Sequence, residues 1–363
     1  MRILHLADVH LDAAFAGLGA VVARRRREGI RAAFQRSVEL AMAEQVDAVT
    51  IAGDLYEDER VRQDTAEFLR QQLGRLQCPV LIAPGNHDYW HPGSLYATLA
   101  WPENVTIFSE PSFTPVVVGG VRIFGAGHRQ PKGTQNLLTG VKVPKGERAV
   151  ALFHGSERAQ MAWQESGKED HAPFSEDELG RAGFAYALLG HFHTPRQTQH
   201  LVYPGNPEPL TFGEVGERGP VLVDLDPSHP KLETRAVASY HLDDQEVDVT
   251  GCQHSEALVE KLEAVVPASP TEGVRIKVVG DLAPGVRMGT TDLLERLRRG
   301  DRCVELVMEA RPALDLESLR QAPDARGQFV RALMARPDFE GELVQAALVA
   351  GLDALRGEEP RLL

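Results

Sequence analysis

The sequence predicts an α/β fold in which a larger domain with mixed sheets precedes a smaller α/β domain. Short apolar runs such as residues 47–54 alternate with segments of helical periodicity such as residues 24–43. Polar residues follow the carboxyl end of each apolar run, where open α/β sheets bind ligands. The composition changes near residues 225–250, which include the turn-like segment DLDPSHPK. A chain of 363 residues is long enough for two such domains.

The elements of the larger domain follow from these patterns in chain order. Strands are predicted at residues 1–10, 47–54, 79–83, 121–127, 149–155 and 184–193, and helices at residues 24–43 and 62–76. The first helix places Ile30, Phe34 and Val38 on one face. The segments VVVGGVRIFG and QHLVYPGN resemble hairpin strands, so we expect a mixed sheet system and not one purely parallel sheet.

The smaller domain is expected after HLDDQEVDVTG, a charge-rich segment that we interpret as the joint between domains. Its predicted elements are helices at residues 255–265, 291–299 and 326–335, and strands at residues 274–280 and 303–310. Apolar residues within 341–355 have the spacing of an amphipathic helix, which either packs on this domain or docks a partner. The expected boundaries are 1–245 for the larger domain, 246–336 for the smaller, and 337–363 for the C-terminal helix and tail.

Composition and charge argue against several classes of protein for this chain. Apolar content of 43% and charged content of 25% are typical of a globular protein. The sequence contains no run of 18 apolar residues, so we expect neither a membrane-spanning segment nor a membrane among its partners. The cysteines at positions 78, 252 and 303 are scattered, which argues against a disulfide framework and favours a cytoplasmic location. The net charge of −13 argues against non-specific coating of nucleic acid, so any such contact needs a local patch helped by bound cations.

Five short polar clusters carry the candidate chemistry. They are Asp8-Val9-His10, Gly53-Asp54, Gly85-Asn86-His87-Asp88, His154-Gly155 and Gly190-His191-Phe192-His193. Imidazoles and carboxylates without thiolates suit two divalent ions such as Mn²⁺, Fe²⁺ or Zn²⁺, and disfavour a structural zinc site. Residues i and i+2 of a strand point the same way, so Asp8 and His10 can both reach one ion, as can His191 and His193 if their segment is extended.

The order D-x-H, G-D, G-N-H-D, H and G-H-x-H resembles that of the calcineurin-like metallophosphoesterases, over about residues 1–225. The resemblance implies a core of two packed mixed β-sheets flanked by helices, and hydrolysis of a phosphoester by two ions. It also implies the ligands by position: Asp8, His10 and His193 for the first ion, Asn86, His154 and His191 for the second, and Asp54 bridging both.

The same resemblance implies roles for two residues that are not ligands. His87 matches the histidine that donates a proton or hydrogen bond to the leaving oxygen, and Asp88 would orient it. Other histidines, such as His5 and His171, are expected to be satisfied core or surface groups.

Three further segments resemble the bacterial DNA-repair exonucleases of the SbcD and YhaO type. They are HLADVHLDAAFAGL, YPGNPEPLTFGEVGERG and ARGQFVRALM. This subgroup resemblance implies a capping role for residues 246–336, DNA as substrate, and manganese as the preferred metal. It also implies a coiled-coil ATPase partner of the SbcC or YhaN type, and a homodimer.

One position departs from the pattern of the recombination nucleases. They carry a second histidine shortly after G-D, whereas Gly53-Asp54-Leu55-Tyr56-Glu57-Asp58 places Glu57 there. The expectation is that the protein has less help in positioning the phosphate or the leaving group.

Three functions remain open at this point. The first is a DNA exonuclease or endonuclease subunit in repair or end processing. The second is a phosphoesterase for a small nucleotide or phosphoprotein, which a narrow capped cleft would favour. The third is a regulatory subunit that binds DNA ends for a coiled-coil ATPase and hydrolyses weakly. Candidate phosphate contacts are Arg24–Arg27, Arg129 and Lys132, and candidate base-stacking residues are Trp90 and Trp163, with Trp101 expected in the core.

Overall fold

The computed structural model describes residues 1–144, 148–159, 169–225, 230–283, 286, 289–312, 314–355 and 357. The chain divides into two compact units. The first comprises Met1–Asp244, Pro267–Arg275 and Gly300–Cys303, and the second comprises Gln245–Val266, Ile276–Arg299 and Val304–Leu363. No helix among the described residues is long and apolar enough to cross a membrane.

Strands and helices are numbered in chain order. The strands are β1 (Arg2–Leu6), β2 (Ala48–Ile51), β3 (Val80–Ile82), β4 (Val105–Ile107), β5 (Thr114–Val118), β6 (Val121–Ala126), β7 (Ala149–His154), β8 (Tyr186–Gly190), β9 (Arg196–Gln197), β10 (Leu201–Tyr203), β11 (Val221–Asp224), β12 (Lys231–Thr234), β13 (His241–Asp248), β14 (Glu272–Val279), β15 (Asp281–Leu282), β16 (Cys303–Met308) and β17 (Arg311–Pro312). The helices are α1 (Ala20–Ala43), α2 (Gln63–Gly74), α3 (Leu95–Thr98), α4 (Glu176–Ala182), α5 (Ser255–Glu263), α6 (Thr290–Leu297), α7 (Leu316–Gln321), α8 (Ala325–Met334) and α9 (Glu342–Leu355).

The first unit contains two six-stranded sheets. One has the order β12-β11-β1-β2-β3-β4, in which β1 to β4 are parallel and β11 is antiparallel to both neighbours. The other has the order β5-β6-β7-β8-β10-β9, with parallel strands β6, β7, β8 and β10 between antiparallel edge strands. Both sheets are therefore mixed, which confirms the predicted α/β class and sheet system.

The two sheets pack face to face because strand residues alternate between two buried surfaces. In β1, Ile3 belongs to the core between the sheets, where it joins Leu81 and Leu152, whereas Leu4 belongs to the outer face. On that outer face the sheet packs against α1 and α2 through Phe34 and Leu69, among others. Helix α4 covers the outer face of the other sheet.

The carboxyl ends of the parallel strands carry the polar clusters. The first strand is shorter than predicted and ends at Leu6, so Asp8 and His10 lie beyond it. Both residues adopt left-handed backbone conformations, with φ of 52° each, and His191 also has a positive φ, of 121°. The expectation that strand alternation aligns these side chains is therefore wrong, because turns past the strand ends place them.

The second unit contains α5, α6 and a helical group formed by α7, α8 and α9. Strands β13, β14 and β16, whose residues are divided between the two units, form a three-stranded sheet, and β15 pairs with β17. The segment predicted as a joint contains β13, because Leu242 and Val247 are buried while the charged residues between them remain at the surface. In α9, Leu348 and Leu352 pack against Val330 of α8. The capping role proposed for this part of the chain stays a prediction.

Candidate metal centre

Polar side chains that follow five strands of the first unit converge at one place. They are Asp8, His10, Asp54, Asn86, His87, His154, His191 and His193. All are buried except Asn86, which is half-buried, and His87, which is exposed. The structure thus brings together every residue that the sequence assigned to metal binding, together with His87.

A tight backbone crossing positions Asp54. Gly53 has a φ of 79°, and Asp54 itself has a φ of 51°. A Cβ atom on Gly85 would overlap the Asp54 carboxylate, so only glycine allows this approach. The backbone N–H of His87 donates to Asp54 Oδ1 at 2.9 Å, which fixes the carboxylate between two strand ends.

Asp8, His10 and His193 form a first group, in which one ligand atom from each lies within 4.8 Å of the others. The Nε2 atoms of His10 and His193 are 3.2 Å apart. Their Nδ1 atoms lie 2.7 Å from Glu57 Oε1 and 2.9 Å from Glu214 Oε1, respectively. Since an ionised carboxylate only accepts, each Nδ1 carries a proton, and each ring presents a lone pair at Nε2 when it is neutral.

Two lone pairs that face each other repel unless a positive charge lies close to both. The surroundings favour such a charge. Burial lowers the pKa of His10, but its hydrogen bond to Glu57 and the nearby Asp54 carboxylate more than compensate, and the pKa is raised. A proton can supply this charge, and so can a divalent cation, for which the mixed imidazole and carboxylate donors are suitable.

His154 belongs to a second group, with Asp8 and Asp54. Its Nδ1 lies 2.9 Å from the Ala52 carbonyl oxygen, an acceptor, so the proton is on Nδ1. Its Nε2 therefore presents a lone pair, which faces Asn86 Oδ1 at 3.0 Å and Asp54 Oδ2 at 3.5 Å. Burial lowers the pKa of His154 to about 3, so the ring is neutral at physiological pH and can act as a ligand.

His191 lies beside this second group. Its ring centroid is 5.2 Å from that of His154. Its backbone N–H donates to both carboxylate oxygens of Asp8, at 3.1 and 3.0 Å. Asp8 thus links the segment after β8 to the first group of ligands.

His87 stands at the exposed rim of the cluster. Its ring centroid is 4.8 Å from that of His10, and its Nδ1 is 2.9 Å from Glu57 Oε2. Partial burial lowers its pKa, but the Asp54 carboxylate and Glu57 outweigh this and raise the pKa to about 9. His87 is therefore an accessible group that can carry a proton.

Asp88 does not make the contact expected of it. Its carboxylate is fully buried and accepts hydrogen bonds from the backbone N–H groups of Asp54, Leu55 and Gly85 and from the Tyr96 hydroxyl. The hydrogen bond to the His87 ring comes from Glu57 instead. The prediction that Asp88 orients His87 is corrected accordingly: Asp88 organises the backbone around Asp54.

Two further residues near the cluster were not identified from the sequence. Glu214 holds His193 Nδ1 and also accepts from Asn206 Nδ2 and the Leu210 backbone N–H, each at 2.6 Å. It lies within YPGNPEPLTFGEVGERG, so that segment carried the signal. His171 was expected to be a satisfied group, but its Nδ1 is buried without a hydrogen-bond partner among the described residues, and its ring is 5.4 Å from that of His191.

Several of the candidate phosphate-binding and base-stacking residues pack or form ion pairs with other side chains of the protein. Arg26 is buried, with its guanidinium over the rings of Phe15 and Tyr240. Arg129 stacks over Trp90 at 4.0 Å and pairs with Glu110, and Lys132 pairs with Glu169. Trp101 stacks against Tyr96, as expected of a core residue, and Trp163 lies outside the described residues. Burial therefore removes Arg26 from the candidate phosphate contacts.

Residues 1–195 match the calcineurin-like phosphoesterases, and the chain belongs to this family. The match confirms the family predicted from the order of the polar clusters. Members of the family are hydrolases that bind two divalent metal ions, in agreement with the clustered histidine and aspartate side chains.

Several curated proteins are similar to this chain. The uncharacterized metallophosphoesterase YhaO of Bacillus subtilis is 29% identical, over 72% of this chain and 67% of its own length. The DNA double-strand break repair protein Mre11 of Methanopyrus kandleri is 25% identical, over 99% of this chain and 84% of its own length. The protein of the same name from Haloferax volcanii is 27% identical over 72% of this chain, and the match spans 58% of that relative.

Proposed function

We propose that this chain is a two-metal phosphodiesterase that acts as a DNA nuclease subunit in repair or end processing. The observation that carries the proposal is the convergence of acceptor atoms. His10 Nε2 and His193 Nε2 face each other at 3.2 Å, and His154 Nε2 faces the Asp54 carboxylate at 3.5 Å. Buried acceptors in such proximity favour the binding of cations.

The proposed ligands are divided between two positions. The first ion would be held by Asp8, His10 and His193, which form one group of clustered ligand atoms. The second would be held by His154 with its neighbours Asn86 and His191, and Asp54 would bridge both. Mn²⁺ is the proposed metal. When bound, the two ions supply Lewis acidity, which stabilises the charge on the phosphoryl oxygens and activates water.

The protein's own groups prepare this site before substrate arrives. Glu57, Glu214 and the Ala52 carbonyl each hold an Nδ1–H, so that His10, His193 and His154 direct Nε2 into the cluster. His87, at the exposed rim, donates a proton or hydrogen bond to the leaving oxygen. Asp88 fixes the backbone on which Asp54 depends.

DNA as the substrate is supported by two similar proteins whose names describe double-strand break repair. A coiled-coil ATPase partner and a homodimer are proposed on the subgroup resemblance. A second candidate, hydrolysis of a small phosphoester such as a nucleotide, is favoured by the net charge of −13, because an acidic protein repels a long polyanion.

The test is a hydrolysis assay of the purified chain with Mn²⁺. End-labelled single- and double-stranded DNA would be compared with bis(p-nitrophenyl) phosphate. Asp54→Ala serves as the blank, and Glu103→Ala, an exposed carboxylate at the amino end of β4, as the matched control. Degradation of DNA by the wild type and the control alone supports the nuclease proposal. Cleavage of the small diester alone contradicts DNA as the substrate, and no cleavage of any substrate contradicts the phosphodiesterase proposal.

A further inference from the structure

We propose that Glu57 is a positioning residue that holds His10 and His87 through one carboxylate, and so supports cleavage of diesters with poor leaving groups. This inference rests on the proposed phosphodiesterase function. It concerns the position at which the sequence departs from the recombination nucleases, where a histidine was expected.

The geometry around Glu57 is that of a bridge. Its Oε1 lies 2.7 Å from His10 Nδ1, and its Oε2 lies 2.9 Å from His87 Nδ1. The two imidazole rings are 4.8 Å apart and nearly perpendicular, at 84°. The side chain of Glu57 is 22% exposed, so both bonds are partly shielded from water.

The main chain holds the carboxylate in place. The backbone N–H of Glu57 donates to the Leu11 carbonyl at 3.0 Å, and its carbonyl accepts from the Arg60 N–H at 3.0 Å. Leu11 directly follows His10, so Glu57 is anchored to the same segment whose histidine it orients. The backbone of Glu57 is therefore fixed at the crossing of two strand-end segments, within reach of both histidines.

A carboxylate can make both contacts, whereas a neutral histidine cannot. Glu57 offers two acceptor oxygens, one for each Nδ1–H, whereas a neutral imidazole has a single acceptor nitrogen. With both Nδ1 atoms engaged, His10 directs Nε2 towards His193, at 3.2 Å, and His87 keeps Nε2 as its remaining donor for substrate. Under this inference Glu57 strengthens positioning, whereas the sequence-based expectation was that it weakens positioning.

The consequence depends on the leaving group. An alcohol such as a sugar hydroxyl is a poor leaving group until its oxygen receives a proton or hydrogen bond, which a positioned His87 supplies. A p-nitrophenolate departs without that help. Loss of the bridge should therefore slow cleavage between nucleosides much more than cleavage of an activated aryl diester.

The test compares Glu57→Gln with wild type on a deoxydinucleoside monophosphate and on bis(p-nitrophenyl) phosphate, both with Mn²⁺. Glutamine keeps the shape but offers one acceptor oxygen where two are needed. We expect kcat on the dinucleoside to fall about 100-fold with little change in KM, and a much smaller loss on the aryl diester. Calorimetry should show that Mn²⁺ stoichiometry is retained. Glu57→Asp should recover part of the loss, and Glu59→Gln, an exposed neighbour, should behave as wild type.

The other outcomes separate this inference from the proposed function. Equal losses on both substrates, or a loss of bound Mn²⁺, would show that Glu57 only supports the metal ligands and would overturn the inference. Unchanged rates on both substrates would overturn it as well. If the wild type hydrolyses neither substrate above the Asp54→Ala blank, the proposed function itself fails, and this inference fails with it.

Discussion

The histidines of the cluster differ in pKa because their surroundings differ. Burial lowers the pKa of His154 to about 3, which leaves a neutral ring suited to a cation. Partial burial also disfavours charge on His87, but Asp54 and Glu57 outweigh it, and the pKa rises to about 9. Groups whose pKa values are driven apart in this way take different roles in a site. His154 fits the role of ligand, and His87 that of proton donor.

Replacement of His87 by alanine tests that division of roles. His87→Ala should bind Mn²⁺ as the wild type does and should lower kcat by about 10² to 10⁴, the usual effect of removing a general acid. Calorimetry and steady-state kinetics would measure the two effects, with exposed His200→Ala as the control. Loss of Mn²⁺ binding would instead make His87 a ligand and contradict its assigned role.

For single residues, the sequence predicts the candidate metal ligands better than it predicts their hydrogen-bond partners. The type and order of Asp54, Asn86 and His154 were enough to predict their convergence. The family resemblance assigned Asp88 to orient His87, whereas the hydrogen bond to the His87 ring comes from Glu57, 30 residues away. Adjacent residues commonly point in different directions, and long-range hydrogen bonds leave no local pattern.

Among the larger elements, the segment that follows β10 supports the cluster from outside. Glu214 accepts four hydrogen bonds, from His193, Asn206, Leu210 and Thr211. Arg218 donates to the carbonyl oxygens of Glu214 and His193. The segment therefore fixes the ring of His193 through both its side chain and its backbone.

Glu214→Gln should weaken this support. An amide presents only one acceptor oxygen, so His193 Nδ1 loses its charged partner, and we expect Mn²⁺ affinity to fall about 10- to 100-fold. Calorimetric titration would measure the change, with exposed Glu217→Gln as the matched control from the same segment. Equal affinities for the two variants would contradict a supporting role for Glu214.

Strand positions were predictable because the buried strands are short apolar runs, as in β2 and β7. The turns that follow them were not. Asp8 and His10 adopt left-handed conformations where their N–H groups donate to the carbonyl oxygens of Gly53 and Asp54. Such contacts between distant segments decide a local conformation that single-residue preferences disfavour.

For the whole molecule, burial of neutral imidazoles links folding to pH. His5 is completely buried between Thr50 and the Leu189 carbonyl, which lie in the two sheets. Burial lowers its pKa to about 4, from an ordinary value of 6.5. The unfolded chain therefore binds a proton at this position more readily than the folded one. Stability should fall as pH drops from about 6.5 towards 4.

His5→Gln removes this one contribution. The variant should be less stable than wild type at pH 7, because the inter-sheet hydrogen bonds are altered. The difference in the free energy of unfolding between wild type and variant should shrink by about 1.4 kcal/mol per pH unit between roughly pH 6 and pH 4.5. Denaturant unfolding at several pH values would measure this, and a constant difference between the two proteins would contradict the assigned burial of a neutral ring.

The sequence pattern predicted the main sheets of the molecule better than it predicted the strand at the boundary between its two units. Alternating strands and helices were enough to predict the two-sheet core once the family resemblance was recognised. The segment predicted as the joint between domains forms β13, and within it the first unit ends at Asp244 and the second begins at Gln245. Its acidic residues gave no sign of a strand, because strands tolerate charge on an exposed face.

We propose that the converging acceptors hold two divalent cations bridged by Asp54. Anomalous diffraction from crystals grown with Mn²⁺, recorded at the manganese absorption edge, would locate these cations. We expect two peaks, both in contact with the Asp54 carboxylate, one beside His10 and His193 and the other beside His154 and His191. A single peak, or two peaks that do not share Asp54, would contradict it.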